Sequence, residues 1–345
     1  MDKLKNAALL AAGVSVGIAV AGRVARRRNK IDFAGRSVVI TGGSRGLGLV
    51  MARLLVAEGA RLAIIARDEA DLERAAAELR LGGAEVLPLV CDVRDQQAVA
   101  RAIDEIVNHY GGIDVLINNA GIIQVGPIEH MQLEDFRDAM DTHLWAPLYT
   151  TLAATPHMKR QGGGRIVNIA SVGGKVALPH MVPYSASKFA LVGLSDGLRA
   201  ELAKDGIFVT TVCPFVMRSG SHLNATFKGQ HEKEFTFFAL LGSVPPNSIS
   251  VLSAARQVVE ACRYGDPQLL VSIQARGAAA MSTLLPNLTA KFMSLGARLM
   301  PAATDAEGDA QKTGWESRTK WAPSPLTRLA DRATEENNEL RGHTI

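Results

Sequence analysis

The chain of 345 residues holds only three cysteines, Cys91, Cys213 and Cys262. They lie far apart and show no metal-ligand spacing, so no metal site is expected, and each reads as a small buried apolar residue in a reducing compartment. An excess of basic charge is also missing from the body. The net charge is +4, but residues 1–30 carry seven Lys/Arg against Asp2 alone, which makes that arm +6 and leaves −2 for the rest. The calculated pI of 9.0 therefore describes an arm and not a surface. A nucleic-acid partner is not expected. There is no internal period, which excludes a solenoid.

What is present is alternation. Short apolar β-branched runs at 37–41, 61–67, 84–93, 113–121, 164–171, 207–214 and 268–273 are separated by stretches of helical periodicity at 47–60, 69–83, 96–112, about 132–160 and 184–206. Apolar strands alternating with helices imply βαβ units and an α/β fold, a parallel sheet covered by helices on both faces. Ligand is then expected at the carboxyl ends of the strands. The division is an N-terminal basic and apolar segment (1–30), one α/β domain (31–275), an amphipathic helical extension (276–300) and a polar tail (301–345). The tail's polar, Pro-containing and mixed-charge composition predicts a poorly ordered segment. Residues 215–250 carry Phe215, Phe227, Phe235, Phe237 and Phe238. Three readings stand for them: a lid over an apolar pocket, a partner surface, or a helix. In the extension Leu285, Leu288, Phe292, Leu295 and Leu299 recur at three- and four-residue steps. That stripe either packs on the body or lies on a membrane.

The run at 7–22 is uncharged over 16 residues. As a helix it would reach about 24 Å, against a hydrocarbon core of about 30 Å. A membrane anchor with a cytoplasmic catalytic domain, a surface-lying helix and a signal peptide are the three readings. The basic cluster after the run favours the first over export.

Between the first strand and its helix lies "VVITGGSRGLG", 38–48. Its glycines would let the backbone approach a pyrophosphate, which the helix N-terminus favours electrostatically. Gly42, Ser44, Arg45, Gly46, Leu47 and Gly48 are the candidate phosphate-side residues. The second strand ends Ala66-Arg67, with no acid at that end to hold a ribose hydroxyl. Arg45 and Arg67 instead suit a ribose 2′-phosphate, so NADP(H) is expected in preference to NAD(H).

Thr41-Gly42-x-x-x-Gly46-x-Gly48, Asp92-Val93, Asn118-Asn119-Ala120-Gly121, Ser171 and Tyr184-x-x-x-Lys188 follow one another in that order. This series resembles the short-chain dehydrogenase/reductase family over residues 32–275. The resemblance implies a single Rossmann-type, doubly wound domain with cofactor and substrate in one cleft. It also implies that Asp92 and Val93 contact adenine, and that Asn119, Ala120, Gly121 and Pro214 line the cofactor. Tyr184 would be the general acid in reduction and the base in oxidation, with its pKa lowered by Lys188 and the nicotinamide charge. Lys188 would also hold the nicotinamide ribose, and Ser171 would hydrogen-bond the substrate oxygen. The sequence departs from the family at two places. His143 stands where the family has a proton-relay asparagine, so its backbone carbonyl or its ring is the candidate relay group. Pro214-Phe215 replaces Pro-Gly.

The expected function is NADP(H)-dependent interconversion of a carbonyl and an alcohol, on a lipophilic small molecule. A non-catalytic NADP(H)-binding scaffold or redox sensor at a membrane is the alternative. Membrane contact is expected through 7–22, and family analogy implies a homo-oligomer through helices around 96–160.

Overall fold

The computed structural model of the protein describes residues 22, 24, 26–245, 247–340 and 343. The anchor expected at 7–22 lies outside the described residues, Gly22 excepted. Seven strands form the central sheet: β1 (Ser37–Thr41), β2 (Arg61–Ala66), β3 (Val86–Val90), β4 (Val115–Asn118), β5 (Gly164–Ile169), β6 (Ile207–Pro214) and β7 (Gln268–Val271). Their order is β7-β6-β5-β4-β1-β2-β3, with every neighbouring pair parallel. The chain steps from β1 outward to β3, then returns to β4 on the other side of β1. That reversal opens a crevice at the carboxyl ends of β1 and β4.

β1 shows why the strands read as unbroken apolar runs. Val38 and Ile40 join the core on one face, while Val39 joins the core on the other. All three are fully buried. Each such side chain contributes about 1.5–3 kcal/mol of burial free energy. One face is covered by α1 (Gly46–Val56), α2 (Glu69–Arg80) and, in chain order further on, the helix at Val251–Tyr264. The other carries α3 (Gln96–Tyr110) and the helix at Ala146–Arg160. The helix expected across 132–160 is present in three parts: α4 (Leu133–Met140), a π-helical turn at Asp141–Trp145, and α5 (Ala146–Arg160). Next come α6 (Val182–Leu202), α7 (His231–Ser243) and α8, the helix at Val251–Tyr264.

Within 215–250 the helical reading holds over His231–Ser243, while Phe237 and Leu241 on that helix stay exposed. α7 buries Phe235 against Phe227, ring centroids 5.6 Å apart, in a satellite apolar cluster. The extension is two helices, α9 (Ile273–Leu284) and α10 (Pro286–Arg298), broken at Leu285, where Pro286 has no N–H to continue the first. Its apolar stripe does not pack on the body: Leu288, Phe292, Leu295 and Leu299 are 43–77% exposed. Among the described residues no helix is long and apolar enough to cross a membrane.

The tail corrects the expectation of poor order. Lys312–Thr313 pairs antiparallel with Thr226–Phe227, α11 (Arg328–Glu336) follows, and Ala322, Ala330, Thr334 and Glu339 are buried. Composition misleads here because much of this segment is fixed by hydrogen bonds from polar side chains to distant backbone. Asn224 Nδ2, for instance, donates to the Glu339 carbonyl at 3.0 Å. At the other end, Arg26 joins the basic arm to the body by a bidentate pair with Asp266, at 2.7 and 3.0 Å.

Candidate active site

The glycine turn after β1 is held by groups arriving from β4. The backbone N–H groups of Asn119 and Ala120 donate to Thr41 Oγ1, at 3.0 and 3.1 Å. The Asn119 amide donates to the carbonyls of Thr41 and Gly42, at 3.1 and 3.0 Å. Asn119 is therefore a brace for the turn as well as its neighbour. Gly48 is required by space: a Cβ there would stand 2.1 Å from the Gly42 carbonyl oxygen. Gly46 opens α1 with φ +54°, a left-handed value that favours glycine. Such a cradle fits a pyrophosphate group.

At the edge of this crevice Arg45 pairs with buried Asp71 at 3.3 Å, and Arg67 lies 4.0 Å from Asp92. Asp92 is held below the ordinary carboxyl range by Arg94 and, further off, Arg67, against the opposing effect of its own burial, which is the largest single influence. Val93 is buried beside it.

Ser171, Tyr184 and Lys188 come together at the end of β5. Ser171 stands two residues past the end of the strand, and its Oγ accepts from Gly173 N–H at 3.0 Å. Pro183 opens α6, whose first two turns carry Tyr184 and, four residues on, Lys188 on the same face. Tyr184 and Ser171 are neighbours: a Cβ placed on Gly173 would lie 3.1 Å from the Tyr184 ring and 3.4 Å from Ser171 Oγ. The Lys188 ammonium donates to the Ile169 carbonyl at 2.9 Å and lies 5.7 Å from the Tyr184 ring centroid. The electrostatics differ from expectation. Burial pushes the Tyr184 phenol above its usual value, the neighbouring Ser171 hydroxyl only partly opposing it. Burial pushes Lys188 down to about 7. The protein's own groups thus do not make the phenol acidic, because desolvation of the anion outweighs a lysine that is itself driven toward neutrality.

His143 sits in the π-helical turn and is buried. Its Nε2 accepts from Ile122 N–H at 3.1 Å, its Nδ1 is 2.8 Å from Ser187 Oγ, and its ring meets Tyr184 edge-on at 5.4 Å. Burial and Lys188 hold it well below the usual histidine range. The ring is neutral, its Nε2 is occupied as an acceptor, and its remaining N–H, on Nδ1, faces Ser187 Oγ. Pro214 ends β6, and part-buried Phe215 borders an open cavity of about 360 Å³ with Arg218, Ser248 and Ile249.

Two features escaped the sequence reading. A buried polar chain runs beneath the site: Thr150 Oγ1 donates to Asn118 at 2.6 Å, Asn118 to Asn168 at 2.8 Å, and Asn168 to Ser195 at 2.7 Å. Its signal was two asparagines in apolar strands, Asn118 at the end of β4 and Asn168 next to last in β5. The second feature is the chain's own C-terminal segment on the glycine turn, where Gly46 N–H donates to the Asn337 carbonyl at 2.9 Å.

The comparisons agree with this geometry. The family described as short chain dehydrogenase matches residues 36–228. Dehydrogenase/reductase SDR family member 7B of Danio rerio is 32% identical over 297 residues, covering 84% of this chain and 94% of its own. Ketoacyl reductase HetN of Nostoc sp. is 29% identical over 274 residues, 79% of this chain and 88% of its own. A crystal structure of NAD+-bound xylitol dehydrogenase superposes with a TM-score of 0.61 at 28% identity, over 69% of this chain and 98% of that one. The chain belongs to the short-chain dehydrogenase family, whose members are oxidoreductases using a nicotinamide cofactor.

Proposed function

We propose that the protein is an NADP(H)-dependent reductase that interconverts a carbonyl and an alcohol on a lipophilic substrate. The observation that carries this is the grouping of Ser171 and Tyr184 side by side beyond the carboxyl end of β5, with Lys188 one turn along and the glycine turn at the carboxyl end of β1 in the same sheet. Gly42, Ser44, Gly46, Leu47 and Gly48 would hold the pyrophosphate, and Asn119, Ala120, Gly121 and Pro214 the remainder. The nicotinamide supplies the hydride in reduction and accepts it in oxidation. Ser171 Oγ–H donates to the substrate oxygen, and Tyr184 O–H gives its proton to that oxygen as negative charge builds there. Lys188, which titrates near neutrality, stabilises the phenolate left behind. His143 is a positioning residue, holding the Tyr184 ring from the side. Arg45 and Arg67 support NADP(H): each guanidinium would pair with a 2′-phosphate beside its present carboxylate, Asp71 or Asp92.

"Lipophilic" rests on the cluster against which Tyr184 packs: Met181, Leu223, Phe227, Phe235 and Phe238. The test is oxidation of NADPH, and separately NADH, with a panel of ketones and aldehydes of rising chain length. Turnover with NADPH, rising with apolar length, is expected. Tight NADPH binding with no turnover across the panel would favour the non-catalytic reading, and preference for NADH would overturn the cofactor choice.

The enzyme is further proposed to work against an anionic lipid surface. Residues 273–304 contain Arg276, Lys291 and Arg298 and no acid, while Leu285, Leu288, Phe292, Leu295 and Leu299 are all more than 40% exposed. An apolar stripe flanked only by cations suits a negatively charged interface. Co-sedimentation with vesicles containing phosphatidylserine, lost in a Leu288→Glu/Phe292→Glu/Leu295→Glu variant, is the expected result. Loss of self-association in that variant, without any vesicle binding by the wild type, would assign the stripe to a second copy. The oligomer expected through 96–160 has its own support on α5, where Leu152 is 57% exposed.

A further inference from the structure

The C-terminal segment lies where a dinucleotide's phosphates belong. Gly46, the first residue of α1, donates its N–H to the Asn337 carbonyl at 2.9 Å. Asn338, left-handed at φ +56°, donates from Nδ2 to the carbonyls of Ser44 and Asp71, at 2.9 and 3.0 Å. Its Oδ1 accepts from Arg74 at 3.2 Å. Arg53 grips the same segment from α1, donating to Asn337 Oδ1 at 2.7 Å and to the Glu336 carbonyl at 2.9 Å. Glu339 is buried, and its Oε2 accepts from Gly220 N–H at 2.8 Å. Its Oε1 stands only 3.1 Å from where a Cβ of Gly46 would be. A carboxylate therefore occupies the space that the absence of a side chain at Gly46 leaves open, at the positive end of a helix.

We propose that residues 337–339 are an intramolecular competitor of the cofactor: they fill the pyrophosphate cradle, and a dinucleotide enters only when they leave. This rests on the cofactor reading given above. The contacts suit a reversible device. They are hydrogen bonds concentrated on residues 336–339, and each exchanges for a bond to water when the segment leaves. Glu339 itself is a strained occupant, since burial pushes its carboxyl up to about 7, with Gly220 N–H and Arg45 pulling the other way. A self-docked segment lowers apparent affinity in proportion to the fraction of molecules it closes.

The test is fluorescence titration of NADPH and NADH with three proteins: the full chain, the chain ending at Glu336, and full-length Glu339→Ala. Hydrogen exchange of the full chain is measured in parallel. Binding at least about 10-fold tighter without residues 337–345 is expected, a smaller gain in Glu339→Ala, and faster exchange at 337–340 when NADPH saturates. Glu339→Gln keeps an acceptor for Gly220 N–H and is expected to bind no more tightly than wild type. Equal or weaker binding by the shortened chain and by Glu339→Ala, with exchange at 337–340 slowed by NADPH, would make the segment a clasp over bound cofactor and overturn the proposal while leaving the cofactor reading intact. No dinucleotide binding by any of the proteins, each folded by circular dichroism, would overturn both.

Discussion

Tyr184→Phe is expected to lower turnover by about 10²–10⁴-fold, the range for removing a positioned proton donor. The substitution deletes one oxygen from a side chain whose ring is fixed by His143 edge-on and by the Met181 and Phe235 cluster, so the crevice should keep its shape. NADPH affinity should therefore change by less than about twofold, because no contact at the glycine turn involves the phenol. The combination of lost turnover and retained binding is the diagnostic. Comparable activity in the two proteins would remove Tyr184 from the proton step.

Lys188→Met should separate function from stability. Lys188 is buried, its ammonium has one neutral acceptor, the Ile169 carbonyl, and the nearby Cys213 thiol is itself pushed up to about 11 and uncharged at neutral pH. Burial brings its folded-state pKa to about 7, below the ordinary lysine value of 10.5. Above 10.5 the lysine is neutral folded or unfolded and costs nothing through ionisation. As pH falls from 10.5 to 7 the unfolded chain takes up a proton that the folded one resists, and stability drops by about 1.4 kcal/mol per unit of difference. Methionine carries no such penalty and is similar in reach. The variant is expected to melt on the order of 5 °C higher at pH 7, with the gain shrinking toward pH 10.5, and to lose at least about 100-fold in turnover. A lower Tm than wild type at pH 7 would mean that the ammonium is stabilised by a partner and would remove this account. The expected pairing of greater stability with lost activity is the usual mark of a group retained for chemistry.

The parts legible in the sequence are those governed by local pattern. The seven apolar runs became strands, the inner ones buried on both faces, and the glycine turn, Asn119 and the Ser171, Tyr184 and Lys188 set were readable because family motifs fix residue type at fixed spacing. The rest depended on distance along the chain or on energetics that spacing does not carry. Glu339 reaches Gly46 across almost the whole domain, and nothing in a polar C-terminal stretch marks which of its carboxylates will be buried. The electrostatics of Tyr184 were legible only in part for a related reason: a lysine four residues away is visible, whereas the desolvation that raises the phenol comes from the enclosing fold. The stripe on α10 had the period of a packed helix, and period alone does not say what the apolar face meets.

The π-helical turn at Asp141–Trp145 has a consequence for how this site can change. One residue more than an α-helix would need is wedged into that turn, so α4 and α5 are out of phase with each other, and His143 sits at the slip. Loss of a single codon there would let the helix close up as regular α. Everything on one side would then rotate by about 100° relative to the other, swinging the imidazole away from Ser187 and the tyrosine together. Point substitutions can tune the site, but shortening this turn would dismantle it, so insertions and deletions should be far less tolerated here than in the exposed turn at 81–83.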